Sequence, residues 1–405
     1  MILATLLLLL LAPVILTPAT AVTLTLDYRY VDVEIRELSW VTYYNGTFYA
    51  AGSTGNYVIV AAYRDGVRLW MQSISLPGNS SILNLSYRDG VLDVIAYSRL
   101  QANTSIWVVR LNPKGEVLDK RLYANLPPRF LPLTALPLGD SIYIAGASYI
   151  LGQEFNYMVA RVSQKGVEWF LEDMGSRGVD VVKCLTTTLG SRLVAVGDNS
   201  TNIYVMLLSQ TGNLLSHSLL SYPNTNLTLS VNGCTKLSET EILVYGALSI
   251  RPFIALVSTS PGLGINITSL RVIANITGVV TTATANHGII TLYISSGDQA
   301  LIAVYRVEGG ELRFLNIYNV TDIARGYIAL SASPGDSRLA YVGSNGVSAF
   351  ILALVMVVQE GGVGRLPRIP VLDVIGDPRL TAILLTVILV TIIFVAYRKR
   401  RRVGS

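Results

Sequence analysis

The feature that most narrows what this chain can fold into is a repeat of about 49 residues. Six glycines, Gly66, Gly115, Gly166, Gly212, Gly262 and Gly309, end short turns such as Arg64-Asp65-Gly66 and Gln164-Lys165-Gly166. The steps between them are 49, 51, 46, 50 and 47 residues. A second marker, the residue ending the second strand of each unit, falls at Gly52, Tyr97, Gly146, Gly197, Gly246, Ser295 and Gly343, in steps of 45, 49, 51, 49, 49 and 48. Two independent markers therefore give one period and seven units. Glycine suits both places, because a tight turn needs positive φ and a strand end can need close backbone approach.

Within each unit, runs of Val, Ile, Leu, Tyr and Thr alternate with clusters of Gly, Asn, Asp and Ser, with no long helical periodicity. The unit at Ile142–Met174 reads as a strand ending at Gly146, a strand over Tyr157–Val162, a turn at Ser163–Gly166 and a strand over Val167–Met174. Units of 40 to 50 residues with four strands each are the signature of propeller blades. The expected fold is all-β, a seven-bladed β-propeller over residues 22–358. Apolar, small-residue strands such as Val181–Thr188 and Val279–Ala285 should line its axis. The seventh unit has strands at Ile328–Ala332, Arg338–Val342 and Phe350–Val358 but no fourth, while Thr23–Tyr30 is a strand with no unit before it. The N-terminal strand is thus predicted to complete the last blade, tying down ends that would otherwise fray.

The two ends point to a membrane. Residues 2–16 are almost wholly apolar and lead to Ala19-Thr20-Ala21, which reads as a signal peptide over residues 1–21; an uncleaved anchor is the alternative. Leu380–Tyr397 carries no charge and, as a helix of about 27 Å, would cross a hydrocarbon core. Five cations, Arg398 to Arg402, follow at once. Residues 359–379 then form a stalk and 398–405 a cytoplasmic tail, with the propeller outside, because positive charge stays inside. These five are among 31 basic residues; the other 26 balance 26 acidic ones. The basic pI belongs to a tail, and nucleic acid is set aside as a partner.

The segment Tyr157-Met158-Val159-Ala160-Arg161-Val162, followed by Gly166, Trp169, Gly175 and then Arg192–Gly197, resembles secreted β-propeller repeats common on bacterial and archaeal cell surfaces. Trp70 and Trp169 keep the turn-then-Trp feature of such repeats; other units have Leu118, Leu215 or Leu312 nearby instead. The resemblance covers residues 23–358 and implies fold and surface location, not chemistry.

Nine Asn-x-Ser/Thr sequons fit an exterior location. Asn79, Asn103, Asn199, Asn226, Asn275 and Asn319 fall in fourth-to-first or second-to-third connections, which share one propeller face. Asn45 and Asn266 fall on the opposite face, the one the stalk leaves from. Asn84 should lie in an inner strand, unmodified.

Chemistry is sparse. No nucleophile elbow, phosphate loop or zinc signature is present; His217, in the alternating run Leu214–Leu220, reads as an exposed strand histidine, and neither it nor His287 is taken as catalytic. No cofactor or metal is implied. Arg129, Arg177, Asp180, Asp198, Asp322 and Arg325 lie in loops of the outward face, where the central mouth could gather them around an anionic sugar. Solvated loop charges are the ordinary alternative. Cys184 and Cys234, 50 residues apart, fall at corresponding inner-strand positions of adjacent blades; two buried free thiols are expected because neighbouring inner strands diverge, with a disulfide, permitted outside the cell, as the alternative. The reading is a single-span surface protein acting in recognition of glycans or envelope proteins, or as an envelope component. The rival is a membrane-tethered glycan hydrolase with its site at the central mouth.

Overall fold

The computed structural model describes residues 21–101, 103–127, 129–149, 155–173, 179–222, 227–260, 264–273 and 275–359. The predicted apolar span, the basic tail, and nearly all of the leader and stalk lie outside this set. So do Gly175, Arg177, Asn226 and Gly262. Among the described residues no helix is long and apolar enough to cross a membrane.

The described residues form seven four-stranded sheets, six of them built from four consecutive strands. The chain is a seven-bladed β-propeller. The inner strands of blades 1 to 7 are Trp40–Tyr44, Asn79–Arg88, Phe130–Leu138, Val181–Thr188, Leu229–Lys236, Val279–Asn286 and Ile328–Pro334. All seven contribute to the lining of one axial cavity. The second strand of blade 3 runs three residues past Gly146, to Tyr149.

The buried apolar residues fall into seven clusters, each shared by two neighbouring blades. Val194, Val196 and Val205 of blade 4, for instance, pack against Val244, Phe253 and Ala255 of blade 5. The core is therefore divided among the seams. A single blade has two apolar faces and cannot bury either without a neighbour.

Six of the seven inner strands carry a register shift at the same place, leaving Leu83, Leu133, Lys183, Asn232, Thr281 and Leu330 as extra residues. Such a bulge bends and twists the strand. The glycine that recurs near the end of the second strand marks a close approach of the backbone leading into or forming the inner strand. A Cβ on Gly146 would lie 2.0 Å from the Leu131 carbonyl oxygen, and one on Gly197 2.1 Å from that of Val181. No side chain fits there. The turn glycines serve differently: Trp70 and Trp169 of the outer strands pack onto Gly115 and Gly212 of the next blade.

The seventh sheet is assembled from both ends of the described chain. Its inner three strands are Ile328–Pro334, Arg338–Ser344 and Ala349–Gln359, and its outermost is Ala21–Asp32. Just beyond this outer strand, the Ile35 carbonyl accepts from the Ala349 amide at 2.7 Å. The end of the first strand thus meets the start of the last, and the two run antiparallel. Val22 and Val357, where the propeller begins and ends, consequently lie at the same face. It is the face of the first-to-second and third-to-fourth turns.

Polar groups secure this junction. Arg68 of blade 1 binds both oxygens of Asp32 at 2.8 Å and reaches Glu34 at 2.5 Å, while the Tyr63 hydroxyl donates to Asp32 at 3.0 Å. Asp32 is buried, so a carboxylate there needs all of these partners. Burial, then the Asp32 charge and hydrogen bond, pushes the Tyr63 hydroxyl far above its usual range, which keeps it a neutral donor. Arg338 of blade 7 pairs with Asp27 at 3.2 Å and with Asp65 of blade 1 at 3.0 Å.

Arg68→Met should cost about 3 kcal/mol, because it strands a buried carboxylate. Arg121→Met breaks the exposed Arg121–Asp119 pair and should cost less than about 1 kcal/mol. Chemical denaturation of the two variants measures the difference, and equal losses would contradict the closure described.

Candidate functional site

Two cavities merit comparison, one on the axis and one at a seam. The axial cavity encloses about 480 Å³. Its walls are residues at or beside the bulges, including Asn84, Thr134, Lys183, Asn232 and Thr282, together with Trp40 from the unbulged strand of blade 1. Inner strands of neighbouring blades do not pair with each other, so side chains supply partners for exposed backbone carbonyls. Asn84 Nδ2 donates to Ala135 O at 3.0 Å, Asn232 Nδ2 to Val280 O at 2.8 Å, and Thr235 Oγ1 to Ala283 O at 3.0 Å. The polar lining thus bonds one blade to the next. It also gives the Asn84 amide a structural partner inside an inner strand.

Among the described residues lining this cavity there is no Asp, Glu or His, and Lys183 is the one charged group. Its ammonium is neutralised locally, 3.0 Å from Asp198 and 3.1 Å from the Ser230 hydroxyl. Asp198 in turn accepts the Val231 amide of blade 5 at 2.9 Å.

Cys184 and Cys234 also line the cavity, and they form a disulfide with Cα atoms 5.7 Å apart. This corrects the expectation of free thiols, and the reason is register. Gly246 follows Gly197 by 49 residues, whereas the cysteines are 50 apart. Cys184 sits opposite Val196, one residue before Gly197; opposite Tyr245, the residue before Gly246, is Gly233, not Cys234. A shift of one position turns a strand side chain to the other face. The offset cysteine therefore points back across the seam to meet its partner, at a radius where the strands have not yet diverged.

The second cavity, of about 360 Å³, lies at the seam between blades 3 and 4. One end of this seam is tied by the Gln210 carbonyl, which accepts from Trp169 Nε1 at 3.0 Å, the Tyr143 hydroxyl at 3.3 Å and Arg161 Nη1 at 3.4 Å. The other end opens into the groove. Tyr157 and Tyr204, with ring centroids 5.6 Å apart, stand beside Met206 and the outer-strand residues Leu214 and Leu219. Asp180, Asn202, His217 and Ser218 supply its polar groups. Burial, followed by the charges of Asp180 and Asp198, drives the Tyr204 hydroxyl far above its normal range, so it stays protonated.

Of the six loop residues singled out from the sequence, the five described ones take separate places, and none is among the described residues lining the axial cavity. Arg129 is paired with Glu172 on the outer strand of blade 3 at 3.1 Å. Asp180 and Asp198 are both buried and both act on Tyr204, and Asp180 lines the seam groove. Asp322 and Arg325 are exposed in the connection from blade 6 to blade 7. Arg177 lies outside the described residues. Sequence reasoning passed over Tyr157, Tyr204 and Leu219, since each reads as an ordinary strand residue. His217 was visible as an exposed strand histidine, and it is exposed.

No family model matches the chain, and no curated protein matches it. Solved structures similar to it include a protein of unknown function from Bacteroides caccae, 12% identical, with a TM-score of 0.43 over 68% of this chain and 94% of that one. Another is a protein from Lactobacillus plantarum, 12% identical, with a TM-score of 0.48 over 76% of this chain and 92% of that one.

Replacing both cysteines by serine should lower stability by about 2–4 kcal/mol, and reductant should do the same to the unaltered chain. Unfolding with and without reductant, together with a non-reducing peptide map, measures this. A midpoint indifferent to reductant would show that the bridge carries no load.

Proposed function

We propose that this protein is a single-span, membrane-anchored propeller that works outside the cell in surface recognition. The supporting observation is the arrangement of the propeller's two faces. Val22 and Val357 lie at one face, through which a leader and a stalk would both connect. Asn199 and Asn275 lie in connections on the opposite face and Asn79, Asn103 and Asn319 at the strand ends beside such connections, and all but the half-buried Asn199 are exposed. A tether on one side and most of the described sequons on the other, with Asn45 and Asn266 on the tethered side, suit a domain held at a membrane with its more decorated face outward. The apolar run Leu380–Tyr397 with its trailing cations supplies the anchor in this reading. The disulfide fits an oxidising exterior.

The hydrolase alternative would need two carboxylates about 5–10 Å apart in an open site. The described lining of the axial cavity offers none.

Protease added to intact cells should remove the propeller, and deleting residues 380–405 should release it into the medium. Retention of the truncated chain by cells, with the full chain protected from protease, would refute the anchored topology. Peptide mapping from a glycosylating host should find sugar at Asn79 and Asn275 and none at Asn84, whose amide is already bonded to the next blade.

A further inference from the structure

We infer that the Cys184–Cys234 bridge is a thiol–disulfide exchange site, which low-molecular-weight thiols reach through the axial cavity while the propeller stays folded.

Access comes first. Both cysteines are half-buried and both line the axial cavity, whose volume of about 480 Å³ lies within the range of small-molecule sites. A thiol of dipeptide or tripeptide size fits such a space beside the sulfurs. A protein dithiol does not, because its sulfur is carried on a folded surface wider than the cavity. Exchange needs a sulfur that an attacking thiolate can approach, and full burial in the apolar seam would deny that approach.

Retention of the fold follows from how seam 4–5 is fastened. Toward one end of the inner strand Val181–Thr188, the Asp198 carboxylate accepts the Val231 amide at 2.9 Å and Lys183 Nζ donates to the Ser230 hydroxyl at 3.1 Å. At the other end the Thr188 hydroxyl donates to the Glu239 carbonyl at 2.6 Å and meets the Thr259 hydroxyl at 2.6 Å. Val194 and Val196 of blade 4 also pack against Val231 and Val244 of blade 5. Cys184 lies between these ties along its strand, so breaking the S–S bond leaves the two blades held.

Two thiols complete the reaction. A thiolate attacks one cysteine sulfur, and the S–S electron pair leaves on the other, which takes up a proton from solvent. The mixed disulfide holds the attacking molecule inside the axial cavity, filling a space that the intact bridge leaves open. A second thiolate then attacks the small-molecule sulfur of that adduct, displaces the remaining cysteine as a thiolate and departs in a small-molecule disulfide. The bridge gains two electrons and two protons, and two thiols are oxidised.

The test is exchange under native conditions on the full-length chain, with dithiothreitol, glutathione and a thioredoxin-type protein dithiol, quenched by alkylation and read by peptide mass spectrometry. These two cysteines are the only ones in the chain, so every label reports this site. The rate should rise in direct proportion to dithiothreitol concentration, with the near-UV dichroism of the folded chain retained. The protein dithiol should act about tenfold or more slowly than dithiothreitol at equal thiolate concentration. Leu330→Trp, which enlarges an exposed side chain in the same cavity, should slow the small thiols, whereas Leu118→Trp on the outer strand of blade 2 should not. A rate that levels off at that of global unfolding, or dichroism lost in step with reduction, would overturn the site, because either means that the sulfurs are reached only in the unfolded chain. Equal rates for small thiols and the protein dithiol would overturn the axial route, as would a folded Leu330→Trp that exchanges as fast as the unaltered chain.

Discussion

A sheet whose strands come from opposite ends of the chain cannot form until the whole ring has been traced, and the seventh blade is such a sheet. Until Ala21–Asp32 docks beside Ala349–Gln359, blade 7 lacks its outer strand and the apolar faces at the 7–1 seam have no cover. The other six blades can assemble from neighbouring hairpins; this one depends on contacts more than 300 residues apart, such as that between Ala349 and Ile35. Long-range closure carries an entropy cost that must be met before its contacts reward it. The buried Asp32–Arg68 pair and the Arg338 bridge to Asp65 hold that late junction shut.

The same need recurs around the ring. Among the described residues adjacent blades share apolar clusters but no sheet hydrogen bonds, so each seam has its own side-chain link. Trp70 donates to Pro113 O across seam 1–2 at 3.0 Å, and Asn84 to Ala135 O across seam 2–3. The Gln210 carbonyl serves seam 3–4, the disulfide seam 4–5, and Asn232 seam 5–6. Asn286 donates to Gly335 O at seam 6–7 at 2.9 Å. Because these bonds use side chains and not strand ladders, they vary from blade to blade. That variation leaves room at one end of seam 3–4 for a groove while the fold stays intact.

Much of this architecture could be read from the chain. The period of Gly66, Gly115 and Gly166 gave seven blades, because a turn that needs positive φ recurs wherever the blade recurs. The recurring Gly146 and Gly197 marked the place where a bulged inner strand presses its carbonyl against the next strand. The groove was not legible. Tyr157 and Tyr204 are 47 residues apart in separate blades, and nothing in their local patterns marks them as neighbours. Asp180 and Asp198 looked like loop charges, and only packing showed both to be buried beside Tyr204.

The cysteines draw the dividing line most sharply. By itself the sequence determined an all-β propeller of seven units, because turn chemistry and strand periodicity are local properties repeated along the chain. It could not determine whether Cys184 and Cys234 meet. Spacing put them in adjacent inner strands, but pairing depended on whether their offset matched the period or missed it by one. Tertiary structure decided that, since side-chain direction alternates at every residue and the inner strands are close only near the axis. The groove at seam 3–4 follows the same logic: composition is local, and the meeting of two blades is not.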